Sequence, residues 1–77
     1  MMQQHNGYWI SGSAVPCPPY TTYWTPQASV LRQRPNGSLV ELTRLVIDDF
    51  ELEDDGVAAL FGLELARMVA DGCLGSR

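Results

Sequence analysis

The stretch that decides the fold is Asp48–Gly72, DDFELEDDGVAALFGLELARMVADG, in which an acidic run opens directly into a mostly apolar segment. Carboxylates in a first helical turn stabilise the positive end of the helix dipole, so the run indicates a helix start. Gly72 stands where a glycine would end the helix in the left-handed conformation. The stretch therefore predicts one C-terminal helix.

The helix has two apolar sides when its residues are placed at 100° intervals. The broader side, which we expect to pack on a sheet, holds Val57, Ala58, Phe61, Leu65, Met68 and Val69. A narrow stripe of Glu64, Arg67 and Asp71 has the spacing for ion pairs. The remaining small apolar side is formed by Ala59, Leu63, Ala66 and Ala70. Because one sheet cannot contact both apolar sides, we expect these last four residues to be an interaction surface covered by another subunit.

The segments before the helix have strand character. Gly7–Val15, GYWISGSAV, mixes aromatic, β-branched and small residues and predicts a strand, with Gly12 as a bulge or a close backbone approach. Pro16–Pro19 interrupts it, since proline lacks the backbone donor. Tyr20–Trp24 is interpreted as a short edge piece or an ordered loop.

A hairpin is predicted from Ala28–Arg34 and Ser38–Ile47, which flank a Pro-Asn-Gly turn. This turn is typical of a type I turn followed by a bulge, in which Gly37 has positive φ. If Arg34 pairs with Ser38, the face expected to meet the helix pairs Val30 with Leu42, Arg32 with Val40 and Ala28 with Arg44.

The predicted fold class is α+β, with a three-stranded antiparallel sheet and one C-terminal helix packed across one face. We expect disordered tails over 1–6 and 75–77 and a single domain over 7–74. The order of GYWISGSAV, hairpin and FGLELARMVADG resembles small uncharacterised bacterial β-β-β-α proteins. The resemblance implies no activity and no functional residue.

The 77 residues carry five Arg, no Lys and a formal charge of −4, which disfavours broad binding to nucleic acid or anionic membranes. A chain this short gains from dimerisation or a disulfide. Its start has neither the basic nor the apolar region of a secretory signal, and no run reaches a membrane span of about 18 residues. We therefore expect a cytoplasmic protein in which Cys17 and Cys73 are free thiols, with a bridge between them as the alternative.

The acidic run invites a comparison with a calcium-binding loop. Its members are Asp48, Asp49, Glu51, Glu53, Asp54 and Asp55. In the closest register the twelfth position, which requires a bidentate glutamate, is Gly62, so the comparison fails. We interpret the run as helix charge and as a negative patch that can meet a basic partner.

The sequence gives little indication of a catalytic or metal site. His5 is the only histidine and lies in the predicted tail, so it does not complete a zinc or nucleophile site with Cys17 and Cys73. We expect no catalytic residue, metal or cofactor.

A nucleic-acid interface is the remaining candidate. Arg32, Arg34 and Arg44 are expected on one hairpin face, and aromatic residues near them could stack on single-stranded bases. The order of sheet and helix is also similar to that of double-stranded RNA-binding domains, but those require a basic helix end. Pairing of Arg44 with an acid near the helix is the simpler interpretation.

The expected function is a non-enzymatic protein-interaction module that self-associates as a homodimer. The alternative is a small acidic regulator or inhibitor, of the phage or mobile-element type, that binds a basic, nucleic-acid-associated protein. The second alternative is nucleic-acid binding through the arginine and aromatic face of the hairpin.

Overall fold

The computed structural model describes residues 2–17, 23–48 and 50–74, without the side chains of residues 73 and 74. Four strands form one antiparallel sheet in the order β1-β2-β3-β4. They are β1 (Met2–His5), β2 (Tyr8–Pro16), β3 (Trp24–Gln33) and β4 (Leu39–Val46). Helix α1 (Asp55–Val69) follows and continues into a wider helical turn, Ala70–Leu74. The α+β class with one C-terminal helix is confirmed, whereas the expectation of three strands is wrong.

The additional strand, β1, lies where we predicted a disordered tail. It pairs with β2 from Met2 opposite Ser11 to His5 opposite Tyr8. Between the two strands Asn6 and Gly7 have φ of 52° and 85°, as a two-residue hairpin turn requires. The Asn-Gly pair is the local sequence signal for this hairpin.

Strand β3 begins earlier than the predicted hairpin. Trp24 exchanges backbone hydrogen bonds of 2.7 and 2.9 Å with Leu52, and Pro26 accepts one of 3.1 Å from the amide of Ile47. Pro26 is tolerated in this inner strand because β4 ends at Val46. Few of the backbone hydrogen bonds between β3 and β4 therefore depend on the amide hydrogen that proline lacks. Residues 20–22 of the predicted Tyr20–Trp24 piece lie outside the described residues.

The turn between β3 and β4 is confirmed. The amide of Arg34 donates to the carbonyl of Ser38 and the amide of Gly37 donates to the carbonyl of Arg34, both at 2.8 Å. Gly37 has φ of 93°, the positive value that the sequence predicted.

The hairpin register changes at a β-bulge. Near the turn it is as predicted, with Arg32 opposite Val40, but past the irregularity Val30 pairs with Thr43 and Ala28 with Leu45. The predicted partners, Leu42 for Val30 and Arg44 for Ala28, are therefore wrong. The bulge inserts one extra residue, which moves Arg44 to the other face of the sheet.

Asp54 caps the helix, and its carboxylate accepts hydrogen bonds from the amides of Gly56 at 2.8 Å and Val57 at 3.2 Å. Of the acidic run only Asp55 lies in the first turn. Gly72 does not have the positive φ predicted for it, because the helix ends in the wide turn Ala70–Leu74.

The prediction for the side of the helix that packs on the sheet is only partly correct. Ala58 is fully buried and Leu65 and Val69 pack against the core, as expected for the broad side, but the small side makes the main contact. The helix contacts chiefly β2 and β3 through the small side, whereas Phe61 and Met68 of the broad side are 44% and 66% exposed. Side chains on Gly12 or Gly62 would overlap the opposing backbone, so helix and sheet are too close for aromatic residues between them. The core consists of Ile10, Ala28, Val30, Leu63, Ala66 and Ala70.

Candidate interaction surfaces

The predicted interaction residues are brought together by the fold, but against the chain's own sheet. Leu63 is 5% exposed, and Ala66 and Ala70 are fully buried. Ala59 is half-buried, and its carbonyl oxygen lies against Gly12. These four residues are therefore covered within one subunit and do not form a surface for a second one. The sequence signal for this packing is Gly12 in β2 together with the small side chains on one side of the helix.

The opposite side of the helix carries a row of apolar side chains that we call the outer helix stripe. It consists of Val57, Leu60, Phe61 and Met68, which are between 40% and 66% exposed. Three of them line a shallow depression of about 270 Å³ together with Glu64. The charge of Glu64 is balanced by Arg67, whose Nε lies 3.4 Å from it.

Phe50 extends the stripe beyond the helix. Its ring meets that of Phe61 edge to face, with 5.2 Å between centroids and an angle of 77°. Both rings remain about 40% exposed. This contact orders the two aromatic groups without covering them.

The second apolar surface is the β4 edge, the free side of the last strand. It presents Leu39, Leu42, Leu45 and Val46, which are 37–42% exposed. The helix lies over β2 and β3, so it leaves β4 largely uncovered. The charged pair within this strand is Glu41 and Arg44, whose side chains approach to 3.2 Å.

The acidic residues do not act as one group. Asp54 is committed to the helix cap, and Asp48 and Glu51 help to line a pocket of about 260 Å³ near Cys17. Asp49 lies outside the described residues. Cys17 is a free thiol, as predicted, and its sulfur lies 2.8 Å from Oγ1 of Thr25.

The predicted arginine face is divided by the bulge. Arg32 stays opposite Val40, but Arg44 lies on the other face and pairs with Glu41 of its own strand. This partner also replaces the acid near the helix that we expected for Arg44. Tyr8 and Trp9 are adjacent in β2 and so point to opposite faces of the sheet. Among the described residues, the arginines Arg32 and Arg44 are thus on opposite faces, as are Tyr8 and Trp9, and Tyr20 lies outside the described residues.

His5 has a structural contact that the tail prediction missed. Its Nε2 lies 2.8 Å from Oδ1 of Asp71, which also accepts from Nδ2 of Asn6 at 2.6 Å. The contact joins the first hairpin turn to the end of the helix. The carboxylate of Asp71 is therefore used here and not in the predicted pairing with Glu64 and Arg67.

No three or more His, Cys, Asp or Glu residues of the described ranges are grouped so that they could hold a metal ion. Within the same ranges no helix has the length and apolar character needed to cross a membrane. Comparisons with protein-family models, curated protein sequences and solved structures find no match to this chain. The outer helix stripe and the β4 edge are the candidate functional surfaces of the described residues.

Proposed function

We propose that this chain is a non-enzymatic, cytoplasmic protein-interaction module that self-associates as a homodimer. The observation that supports it is the amount of apolar side chain left in water. Among the described residues, ten large hydrophobic side chains are at least 37% exposed. Eight of the ten belong to the outer helix stripe and the β4 edge, and Phe50 adjoins the stripe, so they form surfaces and are not scattered singly.

The composition of the core gives the physical reason for association. The largest fully buried side chains in the described part of the chain are Ile10, Val30 and Pro26, and the helix contributes mainly alanine. At this chain length, burial at about 25 cal/mol per Å² only roughly offsets the conformational entropy lost on folding. Covering exposed aliphatic side chains against a second subunit adds burial that the monomer lacks.

A second copy of the chain suits these surfaces. A two-fold contact places the same patch on both subunits, so an apolar patch meets an apolar patch without a charge mismatch. Glu64, beside the stripe, and Glu41, on the β4 edge, already have arginine partners in their own chain. Neither surface thus selects for a strongly charged partner.

The two alternatives have less support. A regulator that binds a basic protein needs the acids as one surface, whereas Asp54 is used by the helix cap and Asp48 faces a pocket. Nucleic-acid binding needs the arginines together, and the bulge places Arg44 on the other face.

Analytical ultracentrifugation over a wide concentration range tests the proposal. We expect twice the chain mass of 8.5 kDa, with association retained at high salt because most of the contact is apolar. A sample that stays at 8.5 kDa up to millimolar concentration, or binding only to basic proteins at low salt, would contradict it.

A further inference from the structure

The β4 edge lacks most of the features that keep natural sheet edges from pairing. It is eight residues long, and its sequence, LVELTRLV, contains no lysine or proline. The other edge, β1, is only four residues long and mostly polar. The protective features that β4 does have are its two charged residues, Glu41 and Arg44, and its bulge. The bulge has a specific effect on which side chains share a face.

The bulge makes the face pattern of β4 symmetric about its centre. Thr43 and Leu45 lie opposite Val30 and Ala28 on the helix side of the sheet, as does Val40 opposite Arg32. The other face carries Leu39, Glu41, Arg44 and Val46, which lie opposite Gln33, Leu31, Ser29 and Gln27. Without the extra residue, positions 41 and 44 would lie on opposite faces. With it, the residues of each symmetric pair, 39 with 46, 40 with 45 and 41 with 44, share a face.

The backbone groups on the free edge follow the same symmetry. Ile47 donates to Pro26 at 3.1 Å and Arg34 donates to Ser38 at 2.8 Å, which identifies the pairs that bond within the hairpin. By alternation, residues 40, 43 and 45 also turn their backbone groups toward β3. The groups of Leu39, Glu41, Arg44 and Val46 therefore point outward, available to another strand.

We propose that two copies of β4 pair antiparallel about a two-fold axis, joining two four-stranded sheets into one of eight strands. This seam rests on the proposed self-association and specifies where it occurs. Glu41 lies opposite the partner's Arg44, and Arg44 opposite the partner's Glu41. The outer pairs are Leu39 with the partner's Val46 and Val40 with the partner's Leu45. Each outward-pointing backbone position meets another, and each pair lies on one face of the joined sheet.

The register is selected by charge as well as by hydrophobicity. Opposite charges directly across a strand pair are favourable and like charges are unfavourable. If one β4 strand were displaced by one residue along the other, Glu41 or Arg44 would lie opposite an aliphatic side chain. Residues from opposite faces of the sheet would then be paired. Both helices then lie on the same side of the joined sheet, and the outer helix stripe stays exposed.

Charge reversal followed by mixing tests the seam. In Glu41→Arg homodimers positive charges oppose each other, and in Arg44→Glu homodimers negative charges do. We expect each variant to dimerise at least about ten-fold more weakly than the wild type. An equimolar mixture should dimerise more tightly than either variant alone, since every introduced charge then faces its opposite. Each variant keeps two like charges within its own strand, so recovery on mixing reports contact between subunits.

The controls are Glu64→Arg on the helix and Arg34→Glu in the turn, which change charge equally away from the seam. Circular dichroism of each variant establishes that the monomer fold is retained. Amide hydrogen exchange of the wild type provides an independent measurement without substitution. The amides of Glu41 and Arg44 should become protected as concentration rises, and those two should change more than the amides of the outer helix stripe.

The outcomes separate the seam from self-association. A wild-type dimer that is insensitive to both β4 reversals, shows no recovery on mixing and is broken by Leu60→Asp would overturn the seam but keep the homodimer. A wild-type chain that is monomeric at every concentration would overturn both. Weakening by each reversal with recovery only in the mixture would establish the seam.

Discussion

Gly62 of the helix lies directly against the backbone of Gln27 in β3, so that a Cβ atom at position 62 would overlap the Gln27 carbonyl oxygen. The same relationship holds between Gly12 of β2 and the helix backbone at Ala59 and Leu63. These two glycines let the helix approach the sheet backbone to backbone. This close approach explains why the small side of the helix is buried, whereas Phe61 and Met68 of the bulkier side are exposed.

The first prediction concerns these glycines. Gly62→Ala and Gly12→Ala should each lower the free energy of unfolding by about 1–3 kcal/mol or more, because the added methyl group meets backbone that cannot move aside cheaply. Denaturant titration followed by circular dichroism measures the change. Gly72→Ala is the matched control, since no atom lies within 4 Å of its added methyl group. Equal stability of all three variants would contradict the close packing.

A second prediction concerns the turn before β4. Gly37→Ala should destabilise the domain by about 1 kcal/mol, because φ at this position is 93° and only glycine adopts it without strain. No atom lies within 4 Å of the added methyl group, so the cost is conformational. Gly37→Asn should cost less, since asparagine tolerates the left-handed region. Thermal unfolding of the two variants distinguishes strain from steric overlap, and an alanine variant as stable as the wild type would exclude the assigned turn.

The third prediction separates the roles of the acidic residues. Asp54→Ala should cost about 1 kcal/mol, because it removes the acceptor for the amides of Gly56 and Val57. Asp54→Asn should retain most of the stability, and Glu53→Ala, just before the cap, should have little effect. Urea titrations at one pH give the comparison. If Glu53→Ala proved as costly as Asp54→Ala, general helix charge rather than the cap would account for the run.

The fourth prediction concerns the contact between the first hairpin and the helix end. Asp71→Ala should destabilise the domain by about 1 kcal/mol by removing the acceptor shared by His5 and Asn6. It should also increase hydrogen exchange in β1, because this contact joins the β1–β2 turn to the helix. Glu64→Ala, which removes an exposed pair with Arg67, is the control. Unchanged exchange in β1 would show that strand pairing alone holds it.

Local chemistry accounts for the features that could be predicted from the sequence. The Pro-Asn-Gly turn, the strand around Gly12 and the C-terminal helix each depend on residues close together in the chain. Gly37 illustrates this, because its positive φ is required by the turn itself. The Asn-Gly turn at residues 6 and 7 carried an equally local signal for β1. The prediction of a disordered tail rested on the polar composition of residues 1–6 and did not include this turn.

The candidate surfaces could not be predicted in the same way. Periodicity showed that the helix has two apolar sides, but which side meets the sheet depends on the distance between the two layers. That distance is set by Gly12 meeting the helix and by Gly62 meeting Gln27, contacts between segments far apart in sequence. The bulge that brings Glu41 and Arg44 to one face likewise arises in the pairing of β3 with β4. The sequence by itself thus determined the turns, most of the strands and the existence of the helix, because these follow from short-range backbone and side-chain preferences. Only the tertiary structure decided which apolar residues are left in water. The reason is that close packing between distant segments brings the small side of the helix against the sheet and leaves Phe61 and Met68 outside.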